Sequence, residues 1–210
     1  MLSLSVLHSK RKFLLLIFAN LIVQLGITYY VMERINVSVY EKIGFWPLFI
    51  LQLCLIYVMS TIFTLFDIHP IFKFIIFSIF SALNGLQLTN LKKNYDSQAI
   101  KAAVESALGI FGAMFAFGIS LLMFGVQLGP KVGIVLLVCL IALIIARLIS
   151  IVSNTANKIL SVITIILFSA YVIYDTNVIL HRNYDGDFIA ASLSYYLDIM
   201  NLFSGSLNNH

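Results

Sequence analysis

The stretch 194–203, SYYLDIMNLF, sets one bare carboxylate, Asp198, among tyrosines, leucines, isoleucine and methionine. Asp175 keeps the same company in SAYVIYDTNVIL, residues 169–180. A charge in hydrocarbon is expensive, so each acid must be neutral, paired or facing water. How the rest of the chain is read depends on whether these two segments lie in a membrane.

Composition says that they do. Of 210 residues, 61% are hydrophobic and only 10% charged, where soluble domains carry about 25% charged residues. This is the make-up of a polytopic membrane protein. No stretch is left over that could fold as a separate soluble body, so residues 1–210 are expected to form a single integral membrane domain. The net charge of +4 comes from bases scattered in ones and twos at segment ends. That is ordinary flanking charge for membrane helices, and it offers nucleic acid no patch to bind. Cys54 and Cys139 sit within apolar runs and read as buried small hydrophobes.

Working outward, seven apolar segments follow one another, at 13–31, 45–66, 70–91, 98–126, 131–152, 158–180 and 188–207. A spanning helix needs about 20 apolar residues, and the first six comply. The seventh is interrupted by Ser192, Ser194, Asp198, Asn201 and Ser204. It can span only if protein surrounds it; otherwise it dips in and returns. The expected fold is therefore an all-α membrane bundle of seven transmembrane helices with a semi-polar, central last helix. The alternative is six spans plus a re-entrant helix. Pro47, Pro70 and Pro130 fall where segments begin, the position at which a missing N–H costs nothing. Lys10, Arg11 and Lys12 precede the first run like a signal peptide, but the run is long enough to span and reads as a retained helix. The same basic triple points to an inside N-terminus.

Asp175 and Asp198 lie at similar distances from the polar turn HRNYDGD, 181–187. Two helices leaving that turn carry both acids to about 10–16 Å depth, near the middle of a hydrocarbon core about 30 Å thick. Carboxyls meeting there share a proton and titrate as one unit. Loss of the proton adds repulsion, which a cation can neutralise. Alternatively, each acid hydrogen-bonds a neighbouring helix.

Asn84 and Glu105 are likewise matched about the turn LKKNYDSQ, and Glu105 is placed to reach Arg147; together they form a possible secondary polar pathway. The small residues Gly109, Gly112, Ala113 and Ala116 have the spacing that lets helices pack closely. Asp185 and Asp187 read as a solvated turn, with weak cation binding as the alternative. His8, His69, His181 and His210 are too dispersed to form a metal site.

The last two segments resemble the transmembrane Bax inhibitor motif family. The likeness is carried by YVIYDTNVILH, 171–181, and SLSYYLDIMNLF, 192–203, with Tyr174, Tyr196 and Asn201 as supporting positions. Weaker likeness extends through AAVESALGIFGAMFAFGISLL and the run that follows it. The resemblance implies a seven-helix bundle and a pH-sensitive calcium leak, in which the acids matching Asp175 and Asp198 are the gate and contact calcium transiently. It also implies suppression of cell death. The membrane would be endoplasmic reticulum or Golgi in a eukaryote or virus, and the plasma membrane in a bacterium. Some relatives carry an arginine in the second helix that latches an aspartate; segment two here has no base. Many carry an acid in the third helix, where this chain offers Asn84 or Ser81.

The expected partners are membrane lipid, calcium ions and protons, and, if the chain acts by contact, apoptosis-regulating membrane proteins. No cofactor is expected beyond calcium as the permeating ion, and no enzyme activity. The remote alternative, an intramembrane aspartyl protease, lacks the GxGD element around its second acid. Oligomeric state is left open.

Overall fold

The computed structural model describes residues 2–62, 66, 68–153, 157–181 and 187–208. Within them the chain is helical throughout: α1 Leu2–Arg34, α2 Val37–Ile43, α3 Phe45–Tyr57, α4 Pro70–Leu88, α5 Ser97–Met123, α6 Pro130–Ser153, α7 Asn157–His181 and α8 Phe188–Leu207. A π turn, Val58–Ile62, extends α3, and a 3-10 turn, Thr89–Lys93, extends α4.

The helix ends have local causes. At α4, the His69 ring accepts from the Ile71 N–H while Pro70 fills the first turn. At α8, the Asp187 carboxylate accepts from the N–H groups of Ile189 and Ala190 at 3.1 and 3.0 Å. At the end of α5, Gly125 adopts φ 74°. This lets Val126 N–H reach back to Leu121 and Gly125 N–H to Leu122, a Schellman closure. Gly44, at φ 82°, separates α2 from α3, which differ in direction by 84°.

Among the described residues five helices are long and apolar enough to cross a membrane, namely α1 from His8, α4 with its 3-10 extension, α5, α6 and α7; the bent α2–α3 pair makes six. The expected count of seven is therefore not reached on length and composition. α8 has the length, but its serines, Asp198 and Asn201 lower its apolarity. Helix α2 had no counterpart among the expected segments, since seven residues are too few to give a span signal.

The chain divides into two compact units. One gathers α1 from Lys12, then α2, α3, α4 and α8 as far as Tyr196. Here α1 and α4 run parallel: Gln24 meets Ser78 and Ser81, Gly85 lies against Thr28 and Val31, and Lys92 reaches Glu33. Two parallel spans need a return between them, which favours counting α2–α3 as a crossing. A polar ladder, Asn20, Gln24 and Thr28, rises along one face of α1 at four-residue spacing, and each rung is at most 5% exposed. Asn20 donates to Ser192 at 2.5 Å, Ser81 donates to Gln24 at 2.9 Å, and the hydroxyls of Thr28 and Tyr196 are 2.6 Å apart. Each rung thereby satisfies groups that would be costly to bury alone.

The other unit holds α5 from Gln98, α6, α7 and α8 from Leu197. Arg147 meets Ser161 and Thr164 near one end of the α6–α7 pair, and Gly133 meets Tyr174 near the other, so the two helices are antiparallel. Close approach does not occur where the small-residue spacing placed it. Gly109, Gly112, Ala113 and Ala116 are exposed, and a Cβ at Gly109 or Gly112 would meet nothing within 4 Å. The tight contact is at Gly118, where a Cβ would stand 2.7 Å from Thr176 Cβ. Cys54 and Cys139 are likewise exposed rather than buried, as suits small apolar side chains on helices whose surroundings are lipid.

Candidate acid pair between the last two helices

Helix α8 buries the face that carries its acid. Tyr195, Ile199 and Leu202 follow a three-to-four-residue period and are at most 5% exposed; Asp198 lies within that stripe at 3%. Its Oδ2 is buried without a hydrogen-bond partner among the described residues. A buried polar atom left in this state needs a cause, because its desolvation is otherwise uncompensated.

The neighbour is Asp175. It lies near enough for its charge to reach Asp198, and the Tyr171 hydroxyl, one helical turn before Asp175, lies within reach of both acids. Asp175 is half-buried. Neighbouring structure fixes where it stands. Thr176 packs into the space left open at Gly118 of α5, and the Tyr174 ring fills the space at Gly133 of α6. Asn177, 1% exposed, clamps the connection between α5 and α6. Its Oδ1 accepts from Leu128 N–H at 2.8 Å and its Nδ2 donates to Val126 C=O at 2.9 Å.

Two acids so placed can hold one proton between them, or a cation in its stead; two bare carboxylates in a dry site repel. Among the described residues no group of three or more His, Cys, Asp or Glu side chains gathers for a metal ion. Calcium takes about six to eight oxygens, more than the two carboxylates supply. The two carboxylates alone therefore fall short of a complete calcium shell.

The other expected positions are placed separately. Asn84 donates to the Phe80 carbonyl in its own helix, at 3.0 Å. Glu105 does not reach Arg147: its exposed carboxylate lies 3.9 Å from Lys101. The Arg147 guanidinium donates instead to Thr164 at 3.0 Å and Ser161 at 3.4 Å. Asn201 donates to the Leu197 carbonyl in its own helix, at 2.7 Å. Tyr196 is fully buried, with Phe77 and Phe80 edge-on to its ring. Ser81, offered with Asn84 as the third-helix polar position, is fully buried in the ladder. Asp187 forms an ion pair with Lys73 as well as capping α8, so it is not merely a solvated turn residue. Asp185 lies outside the described residues.

Sequence reasoning missed three features: Tyr171, the α1 ladder, and the Lys73–Asp187 pair. The first two had legible signals, a tyrosine four residues before an acid and polar residues repeating every four within an apolar run. The third had none, because Lys73 and Asp187 are far apart in the chain.

Comparison with known proteins bears on the whole of this arrangement. Short stretches match curated relatives. Protein lifeguard 4 of Mus musculus is 37% identical over 51 residues, 24% of this chain and 21% of that protein. An uncharacterized protein of Campylobacter jejuni is 41% identical over 56 residues, 27% and 24%. The Golgi anti-apoptotic protein of Vaccinia virus (strain Lister) is 35% identical over 51 residues, 24% and 22%. The matched stretches thus span under a quarter of each relative's length. The family model described as "Inhibitor of apoptosis-promoting Bax1" matches residues 10–207. The chain is an integral membrane protein that belongs to this Bax inhibitor family.

Proposed function

We propose that the protein is a pH-sensitive calcium leak, with Asp175 and Asp198 as its gate and α8 as a seventh, sheltered span. One observation carries the reading: a carboxylate 3% exposed, with an oxygen that no group among the described residues satisfies, beside a second acid. A proton shared by the pair holds α7 and α8 together and occupies the place a cation would take. Removing it creates a cation site and loosens the contact, so flux is expected to rise with pH. Burial along α8 supports the sheltered-span reading, since Ser204 is the one exposed residue among its twenty. The leak would tie the protein to calcium homeostasis and, as the family description and the viral relative's name suggest, to suppression of cell death. That name also points to an intracellular membrane of the Golgi type.

Calcium flux into proteoliposomes, followed from about pH 5 to 8, tests the gate. The wild type should show a pH-dependent leak, and Asp198→Asn and Asp175→Asn should flatten that dependence. Unchanged flux and pH response in both variants would sink the reading.

A second reading draws on the same names, which speak of apoptosis and not of transport. In it the acid pair is a structural clasp, and the protein acts by binding apoptosis-regulating membrane proteins. Absence of any flux, with a stable partner recovered by cross-linking in the membrane, would favour it.

A further inference from the structure

Arg147 is a cation set within the apolar run ALIIARLIS, and its protein partners are neutral. Both of its hydrogen bonds run from Nη2, to the hydroxyls of Thr164 and Ser161. Its other N–H groups find no acceptor, and no carboxylate pairs with it, among the described residues. A half-buried guanidinium offers five donors in a planar fork suited to phosphate or carboxylate, and here most of the fork is unused.

Its depth suggests what completes it. Arg147 lies six residues before the end of α6 at Ser153, about 9 Å along the axis. Ser161 and Thr164 lie in the second turn of α7, which begins at Asn157. With α6 and α7 antiparallel, these groups lie toward the same end of the pair, from which a long guanidinium side chain can snorkel to headgroup level. Lys158 adds an exposed cation at the same end. Around the guanidinium the outer wall is aliphatic: Ile144, Leu148, Ile159 and Ile163 are between 38% and 66% exposed. A cationic fork flanked by an open aliphatic wall matches one molecule at both ends, a phosphate with acyl chains.

We propose that Arg147, braced by Ser161 and Thr164, binds the phosphate of an anionic phospholipid whose chains lie along the α6–α7 face. The site would select a net-negative headgroup over a zwitterionic one, because the fork and Lys158 leave uncompensated positive charge. The site is independent of the acid pair, and its occupancy is read without any flux measurement.

The full chain reconstituted in phosphatidylcholine vesicles doped with photoactivatable phosphatidylglycerol provides the test. Labelling should concentrate on peptides covering 144–166, and labelling spread evenly over the apolar helices overturns the proposal. Unlabelled phosphatidylglycerol should compete. Equal competition by phosphatidylcholine, or by inorganic phosphate, overturns it too. Arg147→Gln should lower labelling about tenfold, the loss expected for a charge-assisted pair. Arg147→Lys, which keeps the charge but not the fork, should fall in between. Undiminished labelling in whichever variant folds overturns the assignment.

Discussion

Helices α6 and α8 are opposites. Of the five single-helix candidate spans, α6 is the most apolar and the least buried, with 11% of its apolar window covered, against 33% for α7. Helix α8, broken up by serines, an acid and an asparagine, exposes only Ser204. In water the order would be reversed. Lipid is as apolar as any side chain, so hydrophobicity does not draw α6 inward, whereas each polar group on α8 must find protein or share a proton. In this chain, polarity marks the interior.

Substitutions can break that contrast. The largest effect is expected on α6, where Val138, 60% exposed, faces lipid. Val138→Asp should cost about 2.5–3.5 kcal/mol of insertion free energy, measurable by glycosylation mapping in microsomes. Full insertion would mean that α6 faces protein in the cell. Next comes Gly205→Leu on α8. A Cβ there stands 2.9 Å from Ile165 Cγ1 and 3.2 Å from the Ser161 carbonyl. Overpacking should remove about 1–3 kcal/mol in a detergent unfolding titration. Gly109→Leu, where a Cβ meets nothing within 4 Å, should leave the curve in place. The smallest loss that the titration should register belongs to Tyr196→Phe. It deletes the 2.6 Å contact with Thr28 and should cost about 0.5–1.5 kcal/mol in the same titration. A neutral result would show that Thr28 is satisfied by the Gln24 and Ser81 carbonyls alone.

The contrast also explains what could be read from the chain. Apolar length placed the long helices to within a few residues of their ends, apart from α1, which starts eleven residues before the expected 13, and matched distance from a turn singled out Asp175 and Asp198. Facing could not be read in the same way. Gly109 and Gly118 have the same composition, yet one looks outward and the other seats Thr176. A rule made for soluble cores puts Cys54 and Cys139 inside, yet both turn outward. Arg147 and Glu105 are expected at a similar depth, but depth does not fix azimuth around the helix axes, and each has another partner. Spacing along one helix and depth across two are local arithmetic. Which faces meet is set by the packing of all the helices.

The clamp at Asn177 has a consequence for the connection it holds. One amide supplies both the acceptor for Leu128 and the donor for Val126, so the connection's length is fixed to the residue. Inserting a single glycine after Val126 would detach one bond or drag Asn177 with it, and Asp175 stands only two positions away. A change made in a loop between two helices would then be felt at the two carboxylates, as tension passed along a cord.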